Sequence, residues 1–186
     1  EAAGDMPLEE LLTCLDEIQA QFDASGRQLG VMESLLFDRQ LQNNALPVRS
    51  PVRRSYVTSG FGYRADPFGR GRALHKGRDV GANVGAPGLG GAGGVVRVAG
   101  TQRGYGSTVE VDHGNGYMTR YAHNSRLTVK AGDLVRAGQQ VARAGSSGRS
   151  TGAHVHFEVW ENGRVVNPRT FLADSPGAPV AKRGRG

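Results

Sequence analysis

Cysteine is almost absent from this chain of 186 residues. The single Cys14 excludes an intramolecular disulfide and leaves no thiolate cluster that could bind a metal. Long hydrophobic runs are missing as well, since no stretch approaches the roughly 20 apolar residues that are needed to span a bilayer. The length still suffices for one well-cored domain with an appendage.

The sequence also lacks an initiating methionine and a signal-peptide pattern, because it begins at Glu1. We expect that the natural N-terminus, with a signal or a membrane anchor, lies outside this sequence.

Acidic residues are scarce outside the N-terminal part of the chain. Residues 1–45 carry nine acidic and two basic side chains, whereas the remainder carries 21 basic and eight acidic ones. No reading helix, aromatic stacking strands or zinc-finger spacing accompanies this positive charge, so we expect no nucleic-acid partner. Attraction to an anionic cell wall or lipid surface, or simply scattered solvated arginines, explains the basic body equally well.

These composition changes divide the chain into four segments. We predict a helical or coiled-coil segment at 1–42, a linker rich in proline and arginine at 43–55, a folded domain at 56–172, and a basic tail at 173–186. The tail is rich in proline, glycine, lysine and arginine, and its composition is typical of disorder.

The acidic segment has the heptad spacing of a coiled coil. The apolar residues that recur every seven positions are Leu8, Leu15, Phe22, Leu29 and Leu36, with Leu11, Ile18 and Met32 between them. One interpretation is a coiled coil that pairs with a partner or with a second copy through residues 8–41. The other is an amphipathic helix that packs against the rest of the chain, where residues 1–55 could also cover a groove.

The body alternates short strand-like runs with glycine turns, and no long helical periodicity interrupts them. Residues 108–111 and 117–121 flank a compact hairpin connection at 112–116. We therefore predict a mainly β fold with antiparallel sheets. An uninterrupted glycine-rich stretch at 88–94 should weaken the packing locally, because glycine in a strand contributes no side chain.

Two motifs supply the side chains of a metal site. HKGRD provides His75 and Asp79, and HVH provides His154 and His156. Two histidines and one carboxylate form a ligand set that catalytic zinc uses, with a fourth position open for water or substrate. In a strand, positions i and i+2 face the same side, so His154 and His156 should project together. Each residue also has a simpler interpretation: a loop histidine, a turn-capping carboxylate, or half-exposed strand histidines.

The ordered motifs as a whole resemble those of the lysostaphin-type (LytM-like) zinc endopeptidases, which cut peptidoglycan cross-bridges. The resemblance covers residues 56–172 and rests on SGFGYR (59–64), DP (66–67), HKGRD (75–79), GYG (104–106), HGNGY (113–117), YAH (121–123) and GRSTGAHVHFEV (148–159). It implies an antiparallel β-sheet groove of the duplicated hybrid motif type, with one Zn²⁺ at its floor.

By the same resemblance, His75, Asp79 and His156 bind the zinc, while His154 and His123 form the catalytic pair. One of this pair would hold or deprotonate water and the other would stabilise the tetrahedral intermediate, in an order that the motifs leave open. His113 is assigned to structure, and Arg64 and Asp66 to the groove loop.

The family implies peptidoglycan stem peptides as the substrate. The acidic helix and the YAHN motif (121–124) favour a Gram-negative envelope enzyme, periplasmic or on the outer surface, that hydrolyses D-Ala–diaminopimelate cross-links. Glycine bridges are also cut within the family. The alternatives are a LytM-like regulator that activates cell-wall amidases without hydrolysis, and an envelope scaffolding module; because all five site positions are retained, an enzyme is favoured.

Overall fold

The computed structural model describes residues 7–53, 56–69 and 71–172 as one long helix followed by antiparallel strands. The elements are α1 (Leu8–Ala45), β1 (Tyr56–Ser59), β2 (Gly62–Ala65), β3 (Arg72–His75), β4 (Arg78–Gly81), β5 (Pro87–Leu89), β6 (Gly94–Gln102), β7 (Gly106–Gly114), β8 (Tyr117–Asn124), β9 (Arg126–Leu127), β10 (Leu134–Val135), β11 (Gln140–Arg143), β12 (His154–Glu161), β13 (Arg164–Val166) and a 3₁₀ turn (Pro168–Thr170). The predicted tail at 173–186 lies outside the described residues.

The chain separates into two compact units, residues 1–41 and residues 42–186. Within the first unit, the heptad residues of helix α1 whose side chains the structure describes are exposed, and Phe22 is 73% exposed. They are Leu15, Ile18, Phe22, Leu29 and Met32. No helix among the described residues has the length and apolar character of a membrane span. The helix continues to Ala45, three residues past the predicted segment, whereas pairing of this helix with a partner stays a prediction.

The second unit is built on an eight-stranded antiparallel sheet with the order β1-β4-β12-β8-β7-β6-β10, and β13 pairs with the outer part of β12. A three-stranded sheet (β5-β11-β9) and the hairpin β2–β3 complete it. The mainly β, antiparallel fold with an N-terminal helix is therefore confirmed. The predicted hairpin connection is a two-residue turn at Asn115 and Gly116, whose φ angles of 52° and 78° suit the twist of the flanking strands.

The side chains of strand β12 alternate between an apolar face and a polar face of the sheet. Val155, Phe157 and Val159 are fully buried in the hydrophobic core, where they pack with residues such as Val109 and Tyr121 of the neighbouring strands. Because successive side chains alternate, the residues between them point to the opposite face, which forms the floor of a groove. Burial of one face thus fixes the register that aligns the other.

The segment predicted as a linker contributes to this core. Val52 is 6% exposed and belongs to the core cluster, and the N–H of Leu89 donates to the carbonyl of Pro51 across 2.8 Å. Residues 46–53 are therefore part of the second unit, while the predicted domain boundaries stay predictions.

A network of buried, hydrogen-bonded side chains holds the glycine-rich stretch at Gly91 and at Gly93. The N–H of Gly91 donates to the Tyr121 hydroxyl at 2.7 Å, and the Nδ1 of His113 donates to the carbonyl of Gly93 at 2.7 Å. Between them, the Thr119 hydroxyl is hydrogen-bonded to His113 Nε2 at 2.8 Å and to Tyr121 at 2.9 Å. Burial lowers the pKa of His113, so its ring is neutral at pH 7 and serves structure, as the sequence indicated.

Close backbone approaches explain why glycine occupies this stretch. A Cβ at Gly94 would collide with the carbonyl oxygen of Asp112 on β7, and one at Gly88 would lie 3.3 Å from the carbonyl oxygen of Ala142. Ala92, between them, is 1% exposed. The missing side chains therefore permit tight packing of the backbone, and the expected low stability of this region stays a prediction.

We predict that Gly94→Ala lowers the free energy of unfolding by about 1–3 kcal/mol, the usual cost of overpacking a filled site. Gly100→Ala on the same strand is the matched control, because nothing lies within 4 Å of its new Cβ and its φ is not positive. That control should be neutral or stabilising by about 0.5 kcal/mol. Urea unfolding of both variants measures the difference, and equal stabilities would contradict this account of the glycines.

Candidate metal and catalytic site

Three side chains from three strands converge at one end of the groove floor. His75 closes β3, Asp79 lies on β4, and His156 is directly opposite Asp79 in the β4–β12 register. Asp79 Oδ1 lies 3.0 Å from His75 Nε2 and 2.8 Å from His156 Nδ1, and these two nitrogens are 3.1 Å apart. The structure therefore brings together the three residues that the sequence predicted as ligands, as a buried cluster that could hold a metal ion.

The outer ring nitrogens of both histidines have their own acceptors. His75 Nδ1 lies 2.6 Å from the carbonyl oxygen of Gly60, and His156 Nε2 lies 3.1 Å from Glu158 Oε1. A proton on each outer nitrogen leaves a lone pair on each inner nitrogen, directed at the same point as the carboxylate. Three such donors repel one another unless a cation lies between them, so the cluster fits a metal ion with the support that metal-binding histidines usually have.

Asp79 is ionised in this setting, as a metal ligand must be. Burial by itself raises its pKa, but when the facing nitrogen of His156 or His75 carries a proton instead of a lone pair, its hydrogen bond holds the pKa of Asp79 well below its usual range. Arg64 Nη2 lies 3.5 Å from the second carboxylate oxygen, Oδ2, and adds a positive charge on the outer side.

The two remaining groove histidines lie beside this cluster. The rings of His123 and His154 have centroids 4.9 Å apart, and His154 Nε2 lies 3.6 Å from Asp79 Oδ1. Each ring is oriented by a backbone carbonyl: His123 Nδ1 is 2.7 Å from Ser147 O, and His154 Nδ1 is 2.8 Å from Gly152 O. A proton on each Nδ1 leaves both Nε2 atoms as free acceptors.

His123 reaches the groove through an unusual backbone conformation. Alternation along β8 places Tyr121 in the core and would place His123 on the same side. Its φ of 61° lies in the left-handed region, which breaks the alternation and allows the ring to lie beside His154. Such strain in a residue other than glycine is costly and is found at functional sites. Strand spacing therefore could not have predicted this histidine.

His123 is neutral at pH 7 and can accept a proton. Burial, supported by the nearby His154 and His156, lowers the pKa of His123 to about 4, although its hydrogen bond to Ser147 opposes the shift.

The groove above the cluster is an open cavity of about 460 Å³. One of its walls is the β2–β3 hairpin loop and another is the loop that precedes β12. Arg149 Nη2 bonds both carboxylate oxygens of Asp66 at 2.8 Å, and its guanidinium lies 4.6 Å from the centre of the Phe68 ring, so the two loops are connected. Asp66 thus holds the groove loop, as predicted.

Glu158 and Tyr105 also line the cavity, and the sequence reasoning assigned neither of them a role. Glu158 continues the same-face series of His154 and His156, so strand alternation could have found it, whereas Tyr105 comes from a distant turn. Burial raises the pKa of Glu158, but the hydrogen bond from His156 and the charge of Arg120 lower it overall. Burial and the charge of Glu158 raise the pKa of Tyr105 to about 12, so its hydroxyl remains a donor.

A three-ligand cluster on the floor of a groove, with two free imidazole nitrogens beside it, is the kind of site found in metal-dependent hydrolases. The chain belongs to peptidase family M23, whose model matches residues 73–168. This confirms the predicted family, because the catalytic domain of lysostaphin has the same fold.

Several solved structures share this fold, and two of them show the extent of the similarity. One is a zinc-containing peptidase from Vibrio cholerae, with 37% identity and a TM-score of 0.62 over 69% of this chain and 40% of that one. The other is the catalytic domain of lysostaphin from Staphylococcus simulans, with 30% identity and a TM-score of 0.60 over 67% of this chain and 98% of that one.

Several curated relatives are named as peptidases, and two of them illustrate the similarity. The DD-carboxypeptidase/endopeptidase Mpg of Neisseria meningitidis is 40% identical over 126 residues, which are 68% of this chain and 29% of that protein. The peptidoglycan DD-endopeptidase ShyB of Vibrio cholerae is 38% identical over 131 residues, which are 69% of this chain and 30% of that protein. The chain therefore spans about three tenths of the length of these relatives.

In a strand, an alanine variant is usually more stable than a glycine variant. We predict that the left-handed backbone at His123 reverses this order of stability. His123→Gly should be about 1 kcal/mol more stable than His123→Ala, because glycine adopts a positive φ without strain. At His154, on regular strand β12, His154→Gly should instead be about 0.5–1 kcal/mol less stable than His154→Ala. Urea unfolding of the four chelator-treated variants measures both differences, and the same order at both positions would refute the assigned strain.

Proposed function

We propose that this chain is a zinc-dependent endopeptidase that hydrolyses peptide cross-links of bacterial peptidoglycan. The observation that carries the proposal is the presence of all five predicted residues in one groove: a buried His-Asp-His cluster and two further imidazoles whose Nε2 atoms are free. A non-hydrolytic regulator would not require this complete set, so the enzyme is favoured over the regulator.

In this proposal His75 Nε2, Asp79 Oδ1 and His156 Nδ1 hold one Zn²⁺ ion. Two neutral imidazoles with one carboxylate suit catalytic zinc, which would keep a fourth position for water or substrate. When bound, zinc polarises the scissile carbonyl and lowers the pKa of water to about 7.

His123 and His154 would perform the proton transfers. Each presents a free Nε2 towards the groove, while a backbone carbonyl fixes its Nδ1 proton. An imidazole in this form can take a proton from the attacking water, and the resulting cation stabilises the developing oxyanion. His154 lies nearer to the cluster, with its Nε2 3.6 Å from Asp79 Oδ1, which favours it for contact with the attacking water.

Peptidoglycan stem peptides are the proposed substrate, and D-Ala–diaminopimelate cross-links are the proposed bond. Relatives named as DD-endopeptidases support this choice. The groove wall also carries Arg64, Lys76 and Arg149, which suit the carboxylates of such stems. A place in the bacterial envelope, periplasmic or on the outer surface, follows from that substrate. Pairing of helix α1 with a partner or a second copy remains part of the proposal.

We predict that His154→Gln retains about one zinc per chain but loses cleavage by a factor of about 10²–10⁴, the usual contribution of a positioned acid or base. His75→Ala and Asp79→Asn should instead lose zinc and cleavage together. Zinc content by elemental analysis and release of soluble muropeptides from purified sacculi are the two measurements, and mass analysis of the muropeptides identifies the bond.

The control is His113→Gln, which changes the fifth histidine, outside the groove. Assayed below its melting temperature, it should keep zinc and cleavage. Wild-type protein that binds zinc but releases no muropeptide from any sacculus would overturn the enzyme proposal, and cleavage by His154→Gln at the wild-type rate would overturn the role of His154.

A further inference from the structure

We propose that Glu158 is a positioning residue of the metal centre, which accepts the Nε2 proton of His156 and thereby directs the Nδ1 lone pair of that histidine to the metal. The inference rests on the metal site of the proposed function but not on hydrolysis. Glu158 is a carboxylate with an exposure of 0%, two residues after His156 on the same face of β12.

Four donors surround the carboxylate and saturate it. Oε1 accepts from His156 Nε2 at 3.1 Å and from the Tyr105 hydroxyl at 2.8 Å. Oε2 accepts from Arg120 Nη1 at 2.8 Å and from Trp160 Nε1 at 2.8 Å. With two donors on each oxygen, the carboxylate has one orientation, and so does the hydrogen bond that it offers to His156.

Arg120 is held in turn from its other side. It lies opposite Glu158 in the β12–β8 register and opposite Glu110 in the β8–β7 register, so the three charges form a row across three strands. Its Nη2 and Nε contact Glu110 Oε1 at 2.7 and 2.9 Å. Its guanidinium also lies 4.6 Å from the ring centre of Tyr105 and 5.3 Å from that of Trp160.

Burying this row of charged side chains costs free energy. Buried charges are costly even when they are paired, and well-packed apolar side chains often stabilise a fold equally well. What an apolar row could not supply is a fixed acceptor for His156 Nε2. An imidazole whose outer N–H meets a carboxylate has a defined tautomer and a more basic inner nitrogen, and this support typically raises metal affinity 10–100-fold.

The test is the affinity of the full chain for Zn²⁺, measured by competition with a chromogenic chelator. Glu158→Gln keeps the size of the side chain but removes its charge and one acceptor oxygen. We expect it to weaken zinc binding about 10–100-fold. Glu161→Gln is the matched control on the same strand: its carboxylate accepts from the Tyr117 hydroxyl at 2.9 Å, away from the histidines, and its zinc affinity should be unchanged.

A second measurement uses the wild-type protein first and then compares it with the variant. In zinc-loaded wild-type protein, the histidine ring spectrum by ¹⁵N NMR should show a proton on His156 Nε2 that resonates far downfield and exchanges slowly with water. Glu158→Gln should move this resonance upfield.

Folded Glu158→Gln with wild-type zinc affinity would overturn the proposal. A His156 Nε2 in the wild type that carries no proton, or one that exchanges rapidly, would also overturn it, even if Glu158→Gln does not fold. Both readouts concern metal binding, so a protein that binds zinc as expected but does not cleave peptidoglycan would refute the proposed function and leave this inference intact.

Discussion

The alternation of side chains along the central strand β12 is the constraint on which the groove depends. Val155, Phe157 and Val159 are fully buried in the core, and a shift of one residue would expose all three to solvent. Because this register is fixed by burial, His154, His156 and Glu158 are fixed on the opposite face. The β4 register then places Asp79 opposite His156, so the hydrophobic core itself aligns two of the candidate ligands.

The groove face combines charges that would be unfavourable if they were separated. Asp79 lies among imidazoles and beside Arg64, while Glu158 lies between His156 and Arg120. A buried charge is tolerated when partners saturate its hydrogen-bonding capacity. The sheet supplies those partners from neighbouring strands.

Backbone conformation, as well as side-chain packing, shapes the second unit. The left-handed φ of His123 turns its ring into the groove, and the glycines at 88–94 allow the backbone to approach β7 and β11 closely. The hydrogen-bonded side chains of His113, Thr119 and Tyr121 then hold that stretch in place. Both features depart from the regular strand pattern, but only His123 lines the groove.

The sequence by itself determined the antiparallel β class, the long helix and the pairing of His154 with His156, because these follow from periodicity and from spacing along one strand or loop. The family followed from the resemblance of the ordered motifs to those of known enzymes. It did not determine the role of residues 46–53, since the prolines and arginines there are typical of a linker whereas Val52 is buried in the core. Only the tertiary structure could place His123, because a single positive φ reverses the side to which a strand residue points. It also decided the contacts of Glu158 with Tyr105 and Arg120, since hydrogen bonds between distant strands depend on register, which no local pattern of residues specifies.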